Sequence, residues 1–87
     1  MIVIITVLLP SLLVDHVLYA KEFLEKAPWV SKMLNGKSRL NSVEMLEILI
    51  EKDGWELLTA TSNAQRMYYT LRSNDYIKRG TIDNGST

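Results

Sequence analysis

Cysteine is absent from the 87 residues, which removes a disulfide framework, a thiolate nucleophile and any cysteine-ligated zinc or iron–sulfur site. A reducing cytoplasm fits that composition and is the expected location. Histidine occurs once, as His16, too few for a histidine-based metal site. The four glycines are isolated, so no Gly-rich loop precedes a helix to cradle phosphate. Charge of one sign is missing as well. Ten basic residues balance ten acidic ones, and zero net charge gives no general attraction to nucleic acid or anionic lipid. No Lys or Arg stands before Lys21, whereas a secretory signal wants a basic start, and Leu18-Tyr19-Ala20 is a poor cleavage site.

What the chain does have is apolar residues, 47% of the total, in a length that supports one domain with a thin core. Ile2, Val3, Ile4, Ile5, Thr6 and Val7 are an unbroken β-branched run that Pro10 stops. Such residues lose side-chain freedom in a helix and pack well on a pleated sheet. A strand over 2–9 follows, and its lack of alternation places it centrally or under a partner. From Ser11, turning each residue by ~100° gathers Leu12, Leu13, Val17, Tyr19, Ala20, Phe23 and Leu24 on one side and Asp15, Lys21, Glu22, Glu25 and Lys26 on the other. That spacing predicts a helix over 11–26, with Val14 and Leu18 intruding on its polar side. The competing reading puts residues 1–20 in the bilayer, since a span needs ~20 apolar residues and Asp15 and His16 are the ionisable side chains there.

Pro28 fits the first turn of a new helix, predicted over 28–34 and ended by Asn35-Gly36. A third helix is predicted over 42–53. Asn41 is its N-cap with Glu44 three residues on, Ser42 is the competing cap, and Gly54 supplies the left-handed stop. Val43, Met45, Leu46, Leu49 and Ile50 define its expected buried face, and Glu44, Glu47 and Glu51 the exposed one. Two aromatic and β-branched runs over 55–61 and 66–72, joined by the polar residues 62–65, predict an antiparallel hairpin. Both alternating sets of the hairpin carry apolar residues, so its buried face stays open. Residues 77–87 have the composition of a polar tail, which leaves 1–76 as a single domain. The expected class is α+β: an antiparallel or mixed three-stranded sheet packed against amphipathic helices.

The run Asp53-Gly54-Trp55-Glu56-Leu57-Leu58 after an amphipathic helix, followed by Tyr68, Tyr69 and Arg72 on a second strand, resembles a family of small bacterial and phage domains of unknown function. The resemblance covers residues 41–72. It implies a helix-to-hairpin fold for that part and carries no activity and no site. The purely apolar opening and the long segment after it depart from the family pattern, so the N-terminal half is unassigned by it. The motif also has a bare physical explanation, in which Gly54 lets the chain reverse, Trp55 covers the helix end and Leu57 or Leu58 returns to the core.

Few side chains offer chemistry. His16 falls among Leu12, Tyr19 and Phe23 on the helical projection, which reads as a neutral, partly buried histidine rather than a catalytic base. Glu44, Glu47 and Glu51 at helical spacing read as a solvated face rather than an acid–base pair. Arg66, Arg72, Lys78 and Arg79 near Tyr68, Tyr69 and Tyr76 form a basic and aromatic mixture of the kind that stacks bases, yet Asp75 and overall neutrality favour cross-strand packing. No catalytic, cofactor-binding or metal-binding residue is assigned, and nucleic acid is not the expected ligand. The expectation is a non-enzymatic protein–protein interaction or structural module with a protein partner or a second copy of itself. The alternative is a membrane-anchored accessory subunit held by residues 1–20.

Overall fold

The computed structural model describes residues 1–37 and 39–73. Along the chain these form β1 (Ile2–Leu8), β2 (Val14–Val17), α1 (Ala20–Lys26), α2 (Trp29–Leu34), α3 (Ser42–Glu51), β3 (Glu56–Ser62) and β4 (Arg66–Arg72). The architecture is α+β, with one antiparallel sheet in the order β2-β1-β4-β3. The expected tail over 77–87 lies outside the described residues, as do the last residues of the expected domain.

β1 occupies the centre, as its uniform apolarity predicts. Its neighbours run antiparallel on either side, β2 through Thr6 opposite His16 and β4 from Ile2 opposite Arg72 to Leu8 opposite Arg66. Successive side chains of a strand point to opposite faces. Val3, Ile5 and Val7 accordingly lie on one side, fully buried, while Ile2 is 53% exposed on the other.

The sheet has four strands where three were expected, and the extra one replaces half of the predicted helix over 11–26. After the cis Leu9–Pro10 bond the chain reverses through Leu12 in the left-handed region, with Leu12 N–H donating to the Leu8 carbonyl and Leu8 N–H to that of Leu13. Residues 14–17 then pair with β1, and only from Ala20 does the chain coil. The physical reason is backbone hydrogen bonding. A helix starting at Ser11 would leave one edge of the apolar β1 without partners, and buried N–H and C=O groups demand them. Val14, the residue that fitted the helical projection poorly, packs against the core once the segment is extended. His16 is correspondingly exposed on β2, not buried among Leu12, Tyr19 and Phe23; of those three only Phe23 is buried. Residues 1–20 are thus not one helix, and no helix among the described residues is long and apolar enough to cross a membrane.

The three helices pack on the Val3–Ile5–Val7 side. Phe23 of α1, Val30 of α2, Met45 and Leu49 of α3, with Leu40, Trp55 and Leu71, complete the core. Asn41 caps α3 through its side-chain oxygen, which accepts from Val43 and Glu44 N–H at 2.9 and 3.2 Å. Ser42 instead docks the helix, its hydroxyl donating to the Leu12 carbonyl at 2.6 Å. The buried seam of α3 is narrower than expected, Ser42, Met45 and Leu49, with Val43 56% exposed and Ile50 exposed too. Beyond the helix, Gly54 at φ +74° reverses the chain. Trp55 then inserts against Phe23 in an edge-to-face contact at 5.5 Å, an arrangement the ring quadrupoles favour.

Candidate functional site

Residues opposite each other across antiparallel strands share a face. Leu71, Tyr69 and Met67 of β4 therefore join Val3, Ile5 and Val7 on the helix-covered side. The other side carries Ile2, Ile4, Thr6 and Leu8 of β1, Arg66, Tyr68, Thr70 and Arg72 of β4, Thr59 and Thr61 of β3, and His16 of β2. No buried apolar cluster forms there among the described residues: Thr6 is buried, but Ile4, Leu8, Tyr68 and Thr70 around it are only half-buried. This open face is an apolar and hydroxyl-bearing surface with charges at its ends.

Those charges are paired. Asp15 sits between Arg39 at 3.4 Å and Arg66 at 3.5 Å, and at the other end Arg72 bonds Glu56 across the hairpin. Ion pairs this exposed contribute at most about 1 kcal/mol each, so their role is to set the rim rather than to hold the fold. The basic and aromatic mixture is split by the sheet. Tyr68 lies on the open face between Arg66 and Arg72, whereas Tyr69 points to the core side opposite Ile5. Tyr76, Lys78 and Arg79 lie outside the described residues.

A cleft of about 230 Å³ opens where β2 meets α1 and α2, walled by Val14, Val17, Phe23, Leu34, Leu40 and Met45, with Asp15, His16 and Arg39 completing the lining. It is apolar, and its carboxylate is already engaged by two guanidinium groups. Among the described residues every buried side-chain oxygen and nitrogen has a hydrogen-bond partner, and no group of three potential metal ligands assembles. Glu44, Glu47 and Glu51 stand exposed on α3, and His16 stands exposed on β2. The structure brings none of the titratable candidates together as a nucleophile–base pair.

The two edges of the sheet differ in kind. Even-numbered residues of β1 turn their backbone groups to β2, as the Leu18 N–H to Ile4 carbonyl bond shows, and the outer edge of β2 is covered at its start by the segment before α3. Val14 N–H donates to the Leu40 carbonyl, Ser42 N–H to that of Leu12, and Leu13 bridges Asn41. β3 is the opposite edge. Leu9 N–H bonds the Gln65 carbonyl and Ser73 N–H that of Met1, so odd-numbered residues of β4 face β1 and even-numbered ones face β3. Through the register Thr59–Thr70 and Thr61–Tyr68, Thr59 and Thr61 take those bonds. The N–H and C=O groups of Ala60 and Ser62 consequently point outward, with no partner strand among the described residues. All seven residues of β3 are exposed, including Leu57, whose side chain lies on the core side beyond the reach of the helices.

Sequence reasoning reached the hairpin but not its free edge, because which strand ends a sheet depends on where the first half of the chain goes. One local signal was present: no charged residue occurs from Leu57 to Gln65. Compared with known protein families, curated proteins and solved structures, the chain matches none.

Proposed function

We propose that this chain is a non-enzymatic protein–protein interaction module that presents one face and one edge of its sheet to a protein partner. The observation that carries the reading is the asymmetry of the sheet. Helices cover one side, and the other leaves Ile2, Ile4, Leu8 and Tyr68 in contact with solvent beside a strand exposed along its whole length. Tyrosine and aliphatic residues ringed by paired charges are the composition of a protein interface, an apolar centre with a polar rim. The Gly54-Trp55 turn and its resemblance to the bacterial and phage domains belong to the scaffold in this reading. Trp55 is buried and closes the core against Phe23.

The test is site-specific photocrosslinking in cells that express the protein, with a benzophenone amino acid in place of Tyr68. A discrete protein adduct is expected there, and none with the probe at Glu47 on the solvated side of α3. Absence of any adduct at Tyr68, and again at Ile4, would refute the reading.

A further inference from the structure

We infer that the partner of the β3 edge is a second copy of this chain, the two β3 strands pairing antiparallel about a two-fold axis at Thr61 to form a continuous eight-stranded sheet. The inference deepens the interaction reading and rests on it. Its warrant is the backbone. The regular part of β3 begins after the irregularity between Leu57 and Thr59, and within it Ala60 and Ser62 turn both backbone groups outward. In an antiparallel pair, residues directly opposite that exchange both bonds alternate with residues that exchange none. Place Thr61 on the axis and Ala60 of each copy falls opposite Ser62 of the other. Each such pair exchanges two N–H···O bonds, so the four outward-facing residues of the two regular segments, Ala60 and Ser62 of each copy, are satisfied at once. Moving the axis to Ala60 pairs only the two Ala60 residues within the regular segment and sets Ser62 against the irregular Leu58.

Charge selects the same occupant. Natural edge strands deter pairing with Lys, Pro or an inward charge, and β3 has none of these after Glu56. In the Thr61 register the two Glu56 carboxylates sit roughly 30 Å apart, near ten residue positions at the strand rise. Each instead lies toward the other copy's uncharged 63–65 turn, with Glu56 already paired to Arg72 of its own copy. At zero net charge two copies approach without mutual repulsion. The opposing Thr61 side chains meet on the open face in a Thr–Thr pair, a favourable cross-strand combination. An edge contact of this size falls below the ~1,200 Å² of a standard interface, so the dimer is weak and concentration-dependent.

Sedimentation equilibrium from micromolar to millimolar protein tests the pairing, with far-ultraviolet circular dichroism to confirm that each variant is folded. The wild type is expected to rise from monomer toward dimer mass. Thr61→Lys and Thr61→Glu, which set like charges against each other on the axis, are each expected to stay monomeric, and their equimolar mixture to regain the dimer. Ala60→Pro, which removes an outward N–H and none of the bonds to β4, is expected to dissociate it also. A wild type monomeric at millimolar concentration, charged variants that dimerise alone, or a mixture that fails to recover the dimer would each overturn the pairing. If a monomeric wild type still gives the Tyr68 photoadduct with another protein, only the self-pairing falls; if the adduct is missing too, the interaction reading falls with it.

Discussion

β1 and β3 are both seven-residue strands of one sheet, rich in β-branched and aliphatic residues, and their surroundings are opposite. Val3, Ile5 and Val7 of β1 are wholly buried under three helices, with paired strands on both flanks. Among the described residues β3 has one paired flank, and even Leu57, turned toward the helical side, remains 42% exposed. The helical layer is too small to cover four strands. Seven, six and ten residues of helix are enough to roof β2, β1 and β4 and then run out. A domain this size buries a modest fraction of its surface, and it concentrates that burial at one end. The stable end holds the fold, and β3 alone projects from it as an exposed strand.

The largest expected effect comes from breaking the stable end. Phe23 is buried and forms the edge-to-face contact with Trp55, so it links α1 to the start of the hairpin. Phe23→Ala is expected to cost about 3–5 kcal/mol, from lost transfer energy and the cavity left behind. Since small domains hold only about 5 kcal/mol or a little more in total, urea titration followed by circular dichroism should show the variant largely unfolded in buffer. A loss under 1 kcal/mol would mean that the core does not converge on Phe23 and that the contrast between the two ends is false.

How much of this contrast was legible beforehand depends on how local each signal is. The α3 start at Asn41, the left-handed reversal at Gly54 and the hairpin all rest on residues within a few positions of one another and are found in place, although the helix itself ends at Glu51, two residues short of the expected 53. β2 was not legible. Four residues, Val14-Asp15-His16-Val17, are extended because β1 needs a backbone partner, a demand that arises from residues ten positions earlier. The exposure of Val43 and Ile50 was hidden for a similar reason. Helical periodicity says which residues share a side, but the width of the buried seam is set by the neighbour, and α3 meets the core along Ser42, Met45 and Leu49 with Leu46 partly buried beside them. The candidate surface was illegible on the same grounds: an open face is a place where packing stops, and no residue encodes that by itself.

A smaller effect sharpens the comparison of the two sheet edges. Asn41 caps α3 and sits at the bridge to Leu13 that closes the β2 edge. Asn41→Ala removes the acceptor of two backbone N–H groups and is expected to cost about 1 kcal/mol. Hydrogen exchange should read the loss locally, with the Val14 amide, bonded to the Leu40 carbonyl, becoming less protected than the amides of β4. Unchanged protection at Val14 would show that the β2 edge is held closed by Ser42 and its bonds to Leu12 rather than by the cap.

The smallest expected effect lies on β3 and is informative for that reason. Thr59 is exposed on the open face opposite Thr70, and its backbone is bonded toward β4 whatever side chain it carries. Thr59→Lys, measured below micromolar concentration where edge pairing is absent, should change unfolding free energy by no more than about 0.5 kcal/mol, the range for surface substitutions. The same change in the middle of β1, at Ile5, would bury an unpaired charge and abolish folding. If Thr59→Lys costs well over 1 kcal/mol, the β3 side chains are engaged within the monomer, and β3 belongs to the stable end together with β4.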